Sequence, residues 1–343
     1  MFPLRHELLR ILDRPAPHAV PADPAEWLRA LGGPAAIRIA GRDRSRTRVV
    51  VTLLHGNEPS GARAVHGWLR DGGQAATDAV LVLAAVDAAL AEPAFTTRQL
   101  PGAPDLNRLF LAPHASPQGE LAGEILGLVL AAQPELLVDI HNNSGHNPAY
   151  GVAARAGAAE RALCALFGGI VVRYDLRLGA LVEATEDLFP SVVVECGRAG
   201  DPAADAVARA GLDRLLGERD VLGAPAPPLR VLGEPVRVEA VPGLRLAFGS
   251  GPGPGCDLVL DEGIDRLNFE LLPPDTPFGW LAEGAPWPLD ARGADGRERS
   301  HELFAAQDGL LVARTTLVPI MMTTDPRIAV SDCLFYAVRE ETA

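Results

Sequence analysis

Short apolar runs rich in β-branched residues constrain the first half of the chain most, because they alternate with segments of helical spacing. The strand-like runs are Arg48–Leu54, Ala79–Val86, Glu135–Ile140, Ile170–Tyr174 and Ser191–Glu195. The helix-like segments are Gly61–Arg70, a stretch from Ser116 to about Ala132, and one that begins at Asp201. Ser116 and Asp201 each precede a proline, as a capping residue does at a helix start. The alternation predicts an α/β sheet, buried on both faces, with helices on both sides.

The pattern changes near a Pro/Ala-rich segment, Val221–Leu229. Beyond it come short alternating runs separated by Gly and Pro clusters, namely Val236–Ala240, Leu244–Phe248 and Leu310–Leu317. Such runs are typical of a β-rich region. We therefore expect two domains, residues 1–222 and residues 223–343.

Charge and composition narrow the classes of function. The 343 residues include 31 basic and 44 acidic side chains, a net charge of −13. This balance argues against nucleic acid as the partner. None of the basic residues is a lysine. A Schiff-base lysine, a pyridoxal-phosphate enzyme and a Walker-A phosphate loop are therefore excluded.

No segment points to export or to a membrane. Residues Met1–Arg14 mix charged and apolar side chains, and no apolar run approaches the ~20 residues that span a bilayer. The four cysteines are scattered without a C-x-x-C pair, which suits a reducing compartment. We expect a soluble, cytoplasmic protein. Its oligomeric state stays open, a homo-oligomer included.

Three residues near the ends of predicted strands form a candidate metal site. His55 and Glu58 follow the run Arg48–Leu54 within one turn, and His141 follows Glu135–Ile140. Ligands collect at the carboxyl ends of strands in open α/β sheets. Two histidines and one carboxylate leave a fourth position for water, as in catalytic zinc sites. Asp139 lies on the same strand face as His141 and is placed to fix that histidine's tautomer.

Each of these signals is weak by itself. A lone histidine after a strand is more often a hydrogen-bonded structural residue, and D-L-N-R at Asp105–Arg108 alone reads as a helix start with an aspartate cap. Glu195 ends the apolar run SVVVE. Such a glutamate is either exposed at the strand tip or desolvated in a cleft, where burial would suit it to proton transfer.

Together the motifs resemble the succinylglutamate desuccinylase/aspartoacylase family, which is related to the zinc carboxypeptidases. The resemblance rests on H-G-N-E-x-x-G at His55–Gly61, D-L-N-R at Asp105–Arg108, D-I-H-N at Asp139–Asn142 and E-x-G at Glu195–Gly197. Their order and approximate spacing agree over about residues 48–200. The resemblance implies a carboxypeptidase-like mixed sheet flanked by helices, with a smaller β-rich C-terminal domain.

The resemblance also implies roles for particular residues. It implies one zinc ion per chain, held by His55, Glu58 and His141, with Glu195 as the general acid/base. It further implies that Asn107 and Arg108 hold a carboxylate of the substrate.

The chain departs from the family pattern before D-L-N-R. The family usually has Thr-Arg followed by an aromatic residue, and this arginine polarises the scissile carbonyl. Here Gln99 follows Thr97-Arg98, and two extra residues precede Asp105. Arg98 is the candidate for that role.

The sequence therefore predicts a zinc-dependent hydrolase that deacylates an N-acyl amino acid or a similar small amide bearing a carboxylate. Two alternatives stay open. One is a zinc carboxypeptidase acting on peptides or peptidoglycan fragments. The other is a non-catalytic relative that binds a carboxylate ligand.

Overall fold

The computed structural model describes residues 8–174, 177–223, 228–326, 329 and 333–341. The chain divides into two compact units: Met1–Asn142, Ala149–Val172 and Arg177–Arg230 form the first, and Asn143–Pro148, Arg173–Leu176 and Val231–Ala343 form the second. Residues 1–7 of the N-terminal segment and 224–227 of the predicted linker lie outside the described residues. The predicted boundary at residue 222 stays a prediction about which parts of the chain fold on their own.

The first unit is built on a mixed sheet flanked by helices, as predicted. Its strands, of which β5 and β7 each end one residue beyond the segments of this unit, are β1 Arg10–Asp13, β2 Ala35–Ile39, β3 Asp43–Thr52, β4 Thr77–Leu83, β5 Leu136–Asn143, β6 Tyr150–Ala153, β7 Ile170–Arg173 and β8 Ser191–Arg198. They lie in the order β1-β2-β4-β3-β5-β8-β6-β7. Strand β3 is parallel to both β4 and β5, whereas β2 is antiparallel to β4 and β6 is antiparallel to β8.

The helices of this unit are α1 Pro24–Leu31, α2 Ser60–Arg70, α3 Val86–Leu90, α4 Pro117–Ala131, α5 Ala158–Ala165, α6 Leu181–Thr185 and α7 Pro202–Gly217. Both predicted caps are confirmed. The side chain of Ser116 accepts a hydrogen bond from Gly119 N (3.0 Å), and Asp201 accepts one from Ala203 N (2.8 Å). These caps satisfy amide groups that a helix start leaves without intrahelical partners.

Burial on both faces of the central strands explains their continuous apolar sequence. Val49 and Val51 of β3 join an apolar cluster that also contains Ile125 of α4. Val50 points to the other face and is equally buried. Every residue of β5 is buried. The sheet is therefore covered on both sides, which is the condition for uninterrupted Val/Ile/Leu strands.

Several predicted strand limits are wrong in detail. The strand predicted over Arg48–Leu54 begins earlier, at Asp43, and ends at Thr52, and its first half is polar and partly exposed. The strand predicted over Ala79–Val86 ends at Leu83, and Val86 instead begins α3. Strands β5 and β8 extend to Asn143 and Arg198, so His141 and Glu195 lie within strands rather than at their ends.

The second unit is β-rich, as predicted. Its strands, beginning at the last residue of the first unit, are β9 Arg230–Ala240, β10 Leu246–Gly249, β11 Leu258–Asp261, β12 Pro277–Leu281, β13 Leu289–Arg292, β14 Phe304–Gln307, β15 Leu310–Ala313, β16 Val318–Ile320 and β17 Phe335–Glu340, with a short helix α8 at Ser300–Leu303. Strand β9 pairs with β13 and β17, and a separate sheet has the order β10-β11-β12-β15-β14. Phe278, Phe304 and Phe335 meet in the apolar core of the second unit. Among the described helices, none has the length and apolarity needed to cross a membrane.

Candidate metal centre

A sharp turn at the end of β3 presents His55 and Glu58. Leu53 has φ 56°, a left-handed conformation that is uncommon for a residue other than glycine, and its side chain is fully buried. Gly56 lies so close to neighbouring backbone that an added Cβ would be 2.4 Å from Ala89 N. The glycine of the H-G-N-E motif is therefore required by space rather than by an unusual backbone angle.

Strand pairing brings His141 to the same place. In the parallel pair β3–β5, Thr52 is opposite Ile140. His141 thus follows directly at the edge where the chain leaves β3. The sequence predicted this proximity, although Glu58 and His141 are 83 residues apart in the chain.

The three side chains converge on one point. His Nδ1 or Nε2 atoms and a carboxylate oxygen of His55, Glu58 and His141 all lie within 4.8 Å of one another, and all three residues are buried. Glu58 Oε1 is 2.8 Å from His55 Nδ1, and Glu58 Oε2 is 2.6 Å from His141 Nδ1. Among the described residues this is the group of His, Cys, Asp and Glu side chains that can hold a metal ion.

The outer nitrogens of both rings also face carboxylates. His141 Nε2 donates to Asp139 Oδ2 (2.9 Å), as predicted, and His55 Nε2 donates to Asp105 Oδ1 (3.0 Å). A ring flanked by carboxylates on both nitrogens needs a positive charge on its inner side, supplied either by a proton or by a metal ion. Carboxylate partners of this kind orient histidine ligands and raise their basicity. The donor set therefore fits a divalent cation such as zinc.

Electrostatics within the centre favour charged forms despite burial. Burial raises the pKa of Glu58, but the charges and hydrogen bonds of His55 and His141 outweigh it and hold that pKa well below its usual range. Burial lowers the pKa of His141, but Asp139 and Glu58 outweigh it and hold that pKa well above its usual range. Glu58 and His141 therefore stabilise each other's charged forms.

Glu195 is buried, which agrees with the second of its two sequence interpretations, a desolvated glutamate, rather than with an exposed residue at a strand tip. It lies within β8, opposite Tyr150 of β6, and is 8% exposed. Burial raises the pKa of Glu195 to about 7, with Glu58 adding to this effect and His141 and His55 opposing it. A carboxyl group with this pKa can both accept and return a proton near neutral pH.

Arg98 and Asp105 complete one side of the centre. The guanidinium of Arg98 lies 3.3 Å from Glu58 Oε1 and 2.9 Å from Asp105 Oδ2. Burial raises the pKa of Asp105, but the hydrogen bond from His55 and the charges of Arg98 and Arg108 hold it well below its usual range. The structure thus brings Arg98 into contact with Glu58, one of the three candidate metal donors.

Asp105 has a role that the sequence reasoning missed. It caps the 3₁₀ turn Leu106–Arg108 by accepting from Asn107 N (2.9 Å), as its position before Leu-Asn-Arg predicts. It also orients His55 and pairs with Arg98. The signal in the sequence was that Asp105 is the first residue of the D-L-N-R motif. That it faces the ring of His55 becomes visible only in the folded chain.

Asn107 and Arg108 follow in the same turn. Asn107 is buried, and its Oδ1 accepts from Leu181 N at the start of α6 (3.0 Å). Arg108 donates to the backbone oxygen of Asn107 (2.9 Å) and is close enough to Asp105 to lower its pKa. Both residues therefore lie beside Asp105, while their roles toward a substrate remain a prediction.

Comparison with known proteins identifies the fold. No family model and no curated protein sequence matches the chain. Among solved structures, a succinylglutamate desuccinylase from Chromobacterium violaceum is similar, with 17% identity and a TM-score of 0.57 over 90% of this chain and 89% of that one. A Rhodobacter sphaeroides succinylglutamate desuccinylase/aspartoacylase has 14% identity and a TM-score of 0.56 over 89% and 88% of the two chains. A Vibrio parahaemolyticus desuccinylase has 15% identity and a TM-score of 0.57 over 90% and 86%. The resemblance predicted from four motifs is thus confirmed in the fold.

Proposed function

We propose that the chain is a zinc-dependent amidohydrolase that removes the acyl group from an N-acyl amino acid or a similar small, carboxylate-bearing amide. The observation that carries the proposal is the buried convergence of His55, Glu58 and His141, with the carboxyl group of Glu195 in electrostatic reach of all three. The fold shared with desuccinylases and an aspartoacylase-related protein supports this class of reaction.

His55 Nδ1, His141 Nδ1 and the carboxylate of Glu58 would hold the metal ion. Asp105 and Asp139 would keep the two rings turned so that these nitrogens face it. Zinc in a site with three protein ligands supplies Lewis acidity, which polarises a carbonyl and makes water more acidic.

Glu195 is the proposed carrier of the proton in both halves of the reaction. It takes a proton from the attacking water as the new C–O bond forms at the acyl carbon. It returns that proton to the nitrogen as the C–N bond breaks, so that a carboxylic acid and a free amine result. A pKa of about 7 allows both steps near neutral pH.

The arginines are proposed to handle the negative charges of the substrate. Arg98, in contact with Glu58, would stabilise the charge that develops on the acyl oxygen. Arg108 would hold a substrate carboxylate through the planar pairing that guanidinium groups make, with Asn107 beside it. The substrate is then fixed with its amide near Glu195.

The first test is the zinc content of the purified protein beside its His141→Ala variant. We expect about one zinc per chain in the wild type and a loss of zinc in the variant. The matched control is His66→Ala, because His66 is also buried but bonds to Pro21 O (2.8 Å) rather than to Glu58. That variant should keep its zinc.

The same preparations test the reaction. A panel of N-acyl amino acids should be hydrolysed by the wild type, whereas Glu195→Gln should keep zinc and lose ~10²–10⁴-fold in kcat. Wild-type protein that takes up no zinc even after reconstitution would contradict the proposal. Unchanged kcat in Glu195→Gln would remove that residue from the reaction.

A further inference from the structure

Asn142, the residue after His141, uses its whole side chain in buried hydrogen bonds. It is 4% exposed. Its Oδ1 accepts from Ser60 N (3.0 Å), and its Nδ2 donates to Ser60 Oγ (2.9 Å) and to Gly197 O (3.1 Å). These bonds join the end of β5 to the start of α2 and to β8.

Ser60 and Asp205 fix the direction of this amide. Ser60 Oγ donates its one proton to Asp205 Oδ1 (2.6 Å), so a lone pair of the hydroxyl remains for Asn142 Nδ2. Asp205 Oδ2 in turn accepts from Arg63 Nη1 (2.8 Å). A flipped amide would place its oxygen against two acceptors, Ser60 Oγ and Gly197 O, and is therefore excluded.

The amide reaches the parts of the chain that carry the metal donors and Glu195. The backbone N–H of Asn142 donates to Glu58 Oε2 (3.3 Å), and Ser60 lies two residues after Glu58. Gly197 lies two residues after Glu195 and has φ 113°, where the backbone of β8 departs from regular strand geometry. Asn142 thus connects the segments of Glu58, His141 and Glu195 in one network.

We propose that Asn142 is a positioning residue, which holds the metal donors and Glu195 in mutual register, while Ser60 and Asp205 orient Asn142. This inference rests on the proposed function, since it assumes that His55, Glu58 and His141 bind zinc. Zinc affinity then depends on the side-chain amide of Asn142, although this amide does not bind the ion. Loss of hydrogen bonds that orient ligands typically weakens metal binding by about 10–100-fold.

The test compares Asn142→Ala with a matched asparagine in the second unit. Asn268 is 6% exposed and also makes three side-chain hydrogen bonds: Nδ2 donates to His146 O (3.1 Å) and Met322 O (2.9 Å), and Oδ1 accepts from Met322 N (2.8 Å). Asn268→Ala therefore removes the same groups from a site without metal donors. Zinc affinity is measured by competition with a chromophoric chelator, and folding by circular dichroism.

We expect Asn142→Ala to bind zinc about 10–100-fold more weakly than the wild type. The zinc affinity of Asn268→Ala should stay within about twofold of the wild type, although this variant should lose about as much thermal stability as Asn142→Ala. Equal zinc affinities of Asn142→Ala and the wild type would overturn the inference alone. A wild type that binds no zinc would instead overturn the proposed function, so the two failures are distinguishable.

A second pair of variants serves if Asn142→Ala does not fold. Asp205→Ala acts at a partly exposed position of α7, and Asp213→Ala removes an ion-paired aspartate from the same helix. Asp205→Ala should lower zinc affinity in the same direction by a smaller factor, with Asp213→Ala unchanged. Equal affinities for both variants would contradict the part assigned to Asp205.

Discussion

Glu195 shows how burial sets the chemistry of a single side chain. It stands in an otherwise apolar strand, and desolvation is the largest influence on its carboxyl group. The nearby Glu58 is equally buried, yet its pKa lies well below the usual range because two histidines face it. These opposite pKa shifts of neighbouring carboxyl groups fit the two roles proposed for them, one as a charged ligand and one as a proton carrier.

The raised pKa of Glu195 predicts a pH dependence of stability in the metal-free protein. Well below pH 4.5 the carboxyl group is protonated in both the folded and the unfolded state, so it contributes no pH dependence there. Between pH 4.5 and about 7 the unfolded chain ionises first, and stability falls as pH rises. Above pH 7, the contribution of Glu195 lowers the free energy of unfolding by about 3 kcal/mol relative to its value well below pH 4.5.

We therefore expect Glu195→Gln to lose less stability than the wild type between pH 5 and pH 8, by up to about 3 kcal/mol. The measurement is urea unfolding of chelator-treated protein at both pH values. Glu92→Gln, at a side chain that is 77% exposed, is the control and should parallel the wild type. Parallel curves for Glu195→Gln would show that Glu195 is already ionised at pH 5.

At the level of elements, the sequence predicts what local chemistry determines. Ser116 and Asp201 cap their helices as expected, because a cap requires only its own neighbours. The end of β3 could not be predicted, since it depends on the left-handed conformation of Leu53, a residue type that rarely adopts it. The pairing of Asp105 with His55 was likewise hidden, because it joins residues fifty positions apart through the fold.

Arg48 shows how one strand residue stabilises a distant helix. The apolar run in which it stands predicts a buried strand, and Arg48 itself is 0% exposed. Its guanidinium donates to Glu135 Oε1 (2.6 Å), to the carbonyl oxygens of Leu215 and Glu218, and to Arg219 O (3.0 Å). It thus satisfies the carbonyl group of Leu215 in the last turn of α7 and two carbonyl groups just after the helix.

Replacing Arg48 with methionine should lower the free energy of unfolding by about 3–5 kcal/mol, because three carbonyl groups lose their donor and the partly buried carboxylate of Glu135 keeps only Arg46 as its arginine partner. Lysine should rescue little of this, since it lacks the planar fork. Arg46→Met is the matched control on the same strand. Arg46 also contacts Glu135 and Arg219, but its side chain is 30% exposed, so the loss should stay below about 1 kcal/mol. Equal losses in urea unfolding would refute the capping role.

For the whole molecule, the place of the candidate metal donors matters most. His55, Glu58 and His141 all belong to the first unit. A ligand that binds only the folded state stabilises the part of the chain that forms its site. Zinc should therefore raise the free energy of unfolding of the first unit directly.

Hydrogen exchange can test where that stabilisation acts. With free zinc at about 1,000 times its Kd, unfolding of the first unit is disfavoured by about 4 kcal/mol. Amides of β3 and β5 that exchange through this unfolding should then slow by up to about 1,000-fold relative to chelator-treated protein. Peptides from β10, β11 and β12 should change little, and His141→Ala should abolish the zinc effect throughout. Equal slowing in both units would show instead that the chain unfolds as one cooperative body, in which the metal centre controls the stability of the β-rich unit as well.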